Sequence, residues 1–336
     1  MRREVDGNSD KTPLLASKLR PPRLRKVLAR SRLLSRAEPG AGLKLVNICA
    51  GPGFGKTTLM AQIAQSFEGH SVWYQVDNLD CDTSVFIRHL VSGVTHACDL
   101  NAVRTNSRIN ETSDFIREGE NILAILLDEL GQHTQKPLLI CFDDFHLFDK
   151  ASQAPRLVDY LVRNLPENLS MIIASRVAPT LALGRLRAQG AVCDFGEKDL
   201  QFSLDELSGL LDQWKIDSSA SILHQAHKST EGWAAGLVLT ESYLRSGNES
   251  PHLFKKRHMQ QAVYEYLAEE VLNNQNAETR ELLLHMALID PVDPTVCRAA
   301  LDTESAENVL ARAEQNNLFT TRLDDANLYR FHPLFR

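Results

Sequence analysis

Residues Ala50 to Thr58 read AGPGFGKTT, set between an apolar run, Leu43 to Cys49 (LKLVNIC), and a run with helical spacing, Leu59 to Phe67 (LMAQIAQSF). A strand that passes through a glycine-rich turn into a helix, the turn closing on Gly-Lys-Thr, is the setting of a phosphate-binding loop. Gly51, Gly53 and Gly55 leave the backbone free to turn successive N–H groups toward one anion, and the helix that starts near Lys56 adds its positive dipole end. The candidate nucleotide contacts are therefore Ala50, Gly51, Pro52, Gly53, Phe54, Gly55, Lys56, Thr57 and Thr58. Lys56 reaches toward the β- and γ-phosphates, the Thr57 hydroxyl helps to hold Mg²⁺, and Thr58 supports the first helical turn. Ala50 stands where the usual pattern has glycine; at negative φ this costs little, because its N–H is still present.

The rest of the 336 residues is of ordinary globular composition, with 43% hydrophobic and 24% charged content, enough for two or three domains. No apolar run approaches the roughly 18 residues of a membrane span, and the polar start, MRREVDGNSDKTP, has no signal region. A cytoplasmic protein is expected. The six cysteines are scattered without a CxxC pair, which reads as reduced thiols rather than a metal or disulfide framework. The net charge of -6 argues against a protein that coats nucleic acid. The exception is local: Ser17 to Arg36 carries Lys18, Arg20, Arg23, Arg25, Lys26, Arg30, Arg32 and Arg36. This stretch reads equally as a patch for phosphates or nucleic acid and as an arm wrapped on the nucleotide domain, and Pro21-Pro22 keeps it from being a simple recognition helix.

Downstream of the loop, Ser71 to Asp77 (SVWYQVD) reads as a strand, followed by two amphipathic helices near Ser84 to Ala97 and Ser113 to Gly131. Leu138 to Phe142 is an unbroken apolar run that ends in Asp143 and Asp144, as a fully buried parallel strand with acids at its C-terminal edge would. Asp143 is the partner for the Mg²⁺ shell, and Asp144 orients or deprotonates the attacking water. A helix, Gln153 to Asn164, and a strand, Leu169 to Arg176, come next; Arg176 at the strand edge is placed to sense a γ-phosphate, or is simply a surface cation. A basic helical piece and a short strand, Ala191 to Phe195, complete the strand-helix alternation of a parallel sheet with helices on both faces.

Past residue 200 the pattern becomes all-helical. Ser203 and Glu206 form a capping box for a helix that runs to Trp214. Further helices are expected from Gly232, over Val263 to Leu272, Thr279 to Met286 and Asp302 to Glu314. Two β-biased runs around DDAN close the chain as a hairpin, so the end reads as a winged helix. The helix before the wing has Glu304, Glu307 and Glu314 against Arg312 alone, which phosphate repulsion makes unfit for DNA; a regulatory wing is the expectation. The domains are then a disordered leader (1–16), a basic arm (17–42), a P-loop nucleotide-binding domain (43–200), a helical domain (201–256) and a winged-helix domain (257–336).

Taken in order, KLRPPRLR, AGPGFGKTTL, LLICFDDFH, ASR, LQFSLDE, GWAAGL, YEYLAEEVL and FHPLF resemble the amino-terminal part of the large ATP-binding transcription regulators of the LuxR type. This is the MalT-like branch of the signal-transduction ATPases with numerous domains (STAND). The likeness runs from about Ser17 to the end, and GWAAGL with FHPLF makes it far more specific than the phosphate loop alone. It implies that Lys56, Thr57, Asp143, Asp144 and Arg176 hold the roles above. It also implies that His332 reaches the β-phosphate of ADP, and that Gly232, Trp233 and Ala234 stand where relatives have a Gly-x-Pro element beside the nucleotide. Such regulators continue into a helical sensor for an inducer and a helix-turn-helix for promoter DNA, so both partners belong to domains outside this chain.

The expected function is an ATP/ADP-binding, Mg²⁺-dependent switch: held at rest by ADP, self-associating with ATP, and reset by a weak ATPase. The alternative is a P-loop kinase or metabolic ATPase with a helical lid, disfavoured because the helical part has no Arg or His cluster for an acceptor. A GTPase lacks an NKxD-type motif, and a simple DNA-binding protein would rest on the basic arm alone.

Overall fold

The computed structural model describes residues 15–24, 27–39, 42–133, 136–149, 151–216, 218–245, 257–301, 303–323 and 327–335. Most of the expected disordered leader, Arg25 and Lys26 of the arm, the proposed domain boundary at 256 and turn residues 324–326 lie outside them.

Among its described residues the arm has a 3-10 turn at its start, Ala16–Leu19, and a one-turn helix α1 (Ser31–Leu34). Five strands, β1 (Leu45–Cys49), β2 (His70–Gln75), β3 (Leu138–Asp143), β4 (Leu169–Ser175) and β5 (Val192–Phe195), then form an all-parallel sheet in the order β2-β3-β4-β1-β5. Between them come α2 (Lys56–Ser66), α3 (Thr83–Ala97), α4 (Val103–Glu111), α5 (Phe115–His133), α6 (Ala154–Asn164) and α7 (Gly184–Ala188). Every residue of β3 and β4 is buried, which is why these strands are continuous apolar runs: each must satisfy a helical layer on both faces. Leu138, Ile140 and Phe142 of β3 point into a core with α3, α5 and α6, while Leu139 and Cys141 point into the core built on α2. Because β4 sits between β1 and β3, the turns that follow these three strands meet at one edge of the sheet, the edge where parallel α/β sheets bind ligands.

A short helix α8 (Glu197–Leu200) leads to α9 (Leu204–Trp214), whose expected capping box is present: the Ser203 hydroxyl accepts from the Glu206 N–H, and the Glu206 carboxylate accepts from the Ser203 N–H. Helices α10 (Ala220–Thr230) and α11 (Ala234–Arg245) pack on it around Leu207, Leu211 and Trp214. The last segment holds α12 (Arg257–Leu267), a π-helical turn at Ala268–Leu272, α13 (Ala277–Met286), α14 (Pro294–Leu301), α15 (Ala306–Gln315) and an antiparallel pair, β6 (Thr320–Leu323) and β7 (Leu328–Phe331). This is a P-loop α/β domain followed by helices and a winged helix, as the sequence led one to expect. Phe331, Tyr329 and Leu310 of the winged helix belong to the same apolar cluster as Leu59 and Met60 of α2, so this core runs from the sheet into the wing.

Several elements differ from the sequence expectation. Helix α4, VRTNSRINE, was not anticipated: it is strongly polar, with only Thr105 and Ile109 buried, and is held by Glu129 accepting from the Arg104 and Thr105 N–H groups. Helix α10 was also missed. The helix expected over Asp302 to Glu314 is α15, which starts only at Ala306, so Glu304 lies ahead of it and only Glu307 and Glu314 sit on the helix before the wing; α14, which precedes it, was not anticipated. Among the described residues no helix is long and apolar enough to cross a membrane.

Candidate functional site

The phosphate loop leaves β1 at Ala50 and enters α2 at Lys56, with Gly53 at φ +75° and Gly55 at φ +81°. Lys56 is buried, and its ammonium donates to the Gly51 carbonyl at 2.8 Å. Burial, reinforced by the positive charge of Arg176, pushes its pKa down to about 8 against the opposing pull of Asp144 and Asp143. A buried ammonium with one neutral carbonyl partner is under-compensated and gains from an incoming anion.

At the end of β3, Asp143 accepts from the Thr57 hydroxyl at 3.1 Å. Burial first, and then Asp144, push the Asp143 pKa up to about 6. A hydroxyl and a carboxylate so paired suit a hard cation that takes its other ligands from phosphate and water. Among the described residues no group of three His, Cys, Asp or Glu side chains could hold a metal ion by itself. The backbone of Asp144 is in the left-handed region at φ +54°, its N–H donates to Asp143 Oδ1 at 3.0 Å, and its Oδ2 accepts from Gln75 Nε2 at 2.7 Å. Lys56, Thr57, Asp143 and Asp144 are thus brought to one place. Gln75, at the C-terminal end of β2, was missed from sequence because nothing local marks it as a partner for residues in β3.

Arg176 follows β4 between these two groups but is turned toward the winged helix. Its guanidinium meets Glu270 of the π-helical turn, at 2.6 Å to the carboxylate and 3.2 Å to the carbonyl. The Arg176 carbonyl accepts from Asn317 Nδ2 at 2.7 Å.

The outer side of the loop is gripped by the helical part and the wing. Trp233, fully buried, donates its indole N–H to the Pro52 carbonyl at 3.1 Å, and the Ala235 N–H donates to the Gly53 carbonyl at 2.9 Å. A Cβ at Gly53 would sit 2.7 Å from the Ala235 Cβ and 2.8 Å from the Trp233 indole nitrogen, and one at Gly51 would sit 2.5 Å from the Asn317 carbonyl oxygen. Glycine is required at Gly53 by the neighbours' approach as well as by its positive φ, and at Gly51 by the neighbours' approach alone. The Gly51 N–H donates to Glu197 at 3.0 Å, and Phe54 packs on Phe319 with ring centroids 6.1 Å apart.

His332 is buried and engaged elsewhere than the resemblance implied. Its Nε2 is 3.1 Å from the Thr230 carbonyl, and its Nδ1 accepts from the Leu334 N–H at 3.2 Å. Burial pushes its pKa down to about 4, so the ring is neutral with its proton on Nε2, and neither nitrogen is left for a phosphate in this arrangement. The reason is tertiary: α10 ends beside the wing and offers Thr230 first. Ala234 lines a different space, a cavity of about 430 Å³ that also touches Gly55, Thr58, Leu28, Phe202 and Trp214. This cavity opens beside the phosphate loop between arm, α2 and helical part, with the mainly apolar lining that ligand pockets show.

The basic arm proves to be an internal clasp. Lys18 is paired with Asp80 at 2.6 Å and Asp77 at 3.0 Å, Arg36 with Asp199 at 2.6 Å, and Arg32 with Glu206 at 3.3 Å. Arg30, buried, meets both oxygens of Glu206 at 2.9 and 3.0 Å, donates to the Leu200 and Gln201 carbonyls and covers the Phe202 ring at 4.1 Å.

With this geometry in view, residues 268–336 match a family model described as the MalT winged helix domain. Over 335 residues and 96% of its length the chain is 28% identical to the HTH-type transcriptional regulator MalT of Klebsiella pneumoniae, and over 330 residues 29% identical to that of Serratia proteamaculans. The chain is MalT-like. It spans 36% of the length of these relatives. Among solved structures, the MalT-like chain resembles a Walker-type ATPase of Pyrococcus abyssi, with a TM-score of 0.65, 16% identity and coverage of 94% of this chain and 97% of that one. It also resembles a signal-transduction ATPase with numerous domains, carrying a tetratricopeptide repeat sensor, from Pyrococcus horikoshii; here the TM-score is 0.50, identity 19%, and coverage 94% and 42%. At these identities the structural likeness speaks for the fold.

Proposed function

We propose that this MalT-like chain is the nucleotide-controlled switch of a transcription regulator, with ADP holding a resting arrangement and Mg²⁺-ATP promoting self-association. The observation that carries the reading is that the phosphate loop and the wing are one contact: Asn317 lies on Gly51, Phe319 on Phe54, and Arg176 is tied to Glu270. Anything that moves the loop or draws Arg176 away must disturb the wing. In this reading Lys56 and the loop amides bind the phosphates, Thr57 and Asp143 hold Mg²⁺, and the cavity beside Gly55 and Ala234 takes the nucleoside. Asp144 activates water for slow hydrolysis. Arg176 exchanges Glu270 for the γ-phosphate, and His332 keeps the wing seated on Thr230. Reversing a 1:99 population to 99:1 requires ATP to favour the open form by about 5.5 kcal/mol over ADP. One charged contact supplies part of that; an inducer acting on a sensor domain would supply more, and promoter DNA would be read by a further domain.

The decisive experiment is Lys56→Ala with ADP affinity measured by calorimetry. Loss of at least a hundredfold is expected, and unchanged affinity would remove the site. Asp144→Asn should bind ATP with native affinity, hydrolyse it at least tenfold more slowly and form more oligomer in ATP by light scattering; native turnover would make Asp144 a structural residue.

A further inference from the structure

His146 stands in the 3-10 turn Phe145–Leu147, directly after the Asp143-Asp144 pair. Phe145 and Phe148 are both buried and meet edge to face at 5.1 Å, and Phe145 meets Phe142 at 6.4 Å, so the turn is locked into the core by the residues on either side of the histidine. His146 is left facing the charged edge of the sheet, within the fields of Asp144, Arg176, Lys56 and Glu270. Its Nδ1 is buried and has no hydrogen-bond partner. An orphan of this kind costs more than an apolar side chain would in the same space.

Asp144 Oδ1 stands 3.9 Å from this Nδ1, too far for a direct hydrogen bond. The other oxygen of that carboxylate is already held by Gln75. One orphaned nitrogen and one carboxylate oxygen therefore lie at a separation that a water taken up with the nucleotide, about 2.8 Å from each, would span once the edge opens around it. Burial keeps the ring neutral well below pH 7, so one of its nitrogens is available as an acceptor.

We propose that His146 and Asp144 together hold the water that attacks the γ-phosphate, a role that rests on the nucleotide-switch reading above. The water gives one hydrogen bond to Asp144 Oδ1 and one to His146 Nδ1, which turns its lone pairs away from both. In the reaction one water-oxygen to phosphorus bond forms, and the β–γ bridging oxygen to phosphorus bond breaks with its electron pair leaving on ADP. The proton bonded to Asp144 passes to that carboxylate and on to solvent, while the other stays on the phosphate formed. Asp144 accepts the proton; His146 fixes the direction of attack.

The test compares His146→Leu and His146→Asn in the full chain, reading turnover and calorimetric affinity for ADP and for ADP with aluminium fluoride and Mg²⁺, which stands in for the phosphoryl group in transfer. His146→Leu should keep ADP affinity and KM within twofold while kcat and aluminium fluoride affinity each fall at least tenfold. His146→Asn, whose amide oxygen can take the place of Nδ1, should recover at least a third of the native kcat. Native kcat and aluminium fluoride affinity in the leucine variant would overturn the assignment, as would an asparagine variant as slow as leucine while both bind ADP normally. Failure of the underlying reading looks different: ADP affinity would then survive Lys56→Ala with His146 in place.

Discussion

Two clasps fasten the helical half of this chain to its nucleotide domain, and they are built differently. The arm clasp centres on Arg30 and Glu206, both largely buried, with two carbonyls and an aromatic face completing the guanidinium's surroundings. Burial alone would raise the Glu206 pKa, yet the hydrogen bond and charge of Arg30, the Ser203 N–H and the Arg32 bond together outweigh it and hold the carboxyl below its ordinary range. The wing clasp centres on Arg176 and Glu270, whose side chains are 30% and 38% exposed. Beside it, Asn317 and Phe319 sit at φ +51° and +54°; asparagine adopts this region readily, while for the bulky Phe319 it costs of order 1–3 kcal/mol. A buried, multiply bonded clasp makes a fixed hinge. A half-wet ion pair next to strained backbone makes a catch that can be released.

This contrast can be broken at either end. The largest effect is expected for Arg30→Ala, which leaves the Glu206 carboxylate without its main partner: about 3–5 kcal/mol of unfolding free energy should be lost in urea melts. A loss below 1 kcal/mol would show that the arm is not the hinge.

Next comes acid. His332 has its ordinary pKa of 6.5 in the unfolded chain and about 4 when folded, so between those values the unfolded chain binds more protons. The wing contact should be at full strength above pH 6.5 and lose up to about 3 kcal/mol as pH falls toward 4. His332→Gln, which can keep the bond to Thr230 but cannot titrate, should flatten that part of the profile. An unchanged profile would mean that the ring does not hold the wing.

The smallest effect on global stability is expected from Glu270→Gln, under about 1 kcal/mol. The same change should speed hydrogen exchange of the wing amides at 318–323 at least tenfold while leaving the arm unchanged. Equal protection in both regions would erase the distinction between hinge and catch.

How much of this could be read beforehand follows the range of the interactions. The phosphate loop, the acidic end of β3, the capping box at Ser203 and the terminal hairpin are local patterns, and each was legible in a window of a dozen residues. The arm was legible only as charge: whether Lys18, Arg30, Arg32 and Arg36 face nucleic acid or their own domain is decided by Asp80, Glu206 and Asp199, which lie far along the chain. Gln75, Glu197 and Asn317 carry no motif at all, and YEYLAEEVL marks Glu270 as part of a helix but not as a partner for Arg176; all four enter the site because strand order and docking bring them to the loop. Helix α4 was invisible because its stability comes from Glu129 across from it rather than from its own propensity.

The sequence by itself determined that a parallel sheet carries a phosphate loop and two acids at one edge, because period, glycine placement and apolar runs act over a few residues. Only the tertiary structure decided which groups complete that edge and which clasp is fixed. Burial sets what a charge is worth, and burial depends on the packing of segments that are remote in sequence.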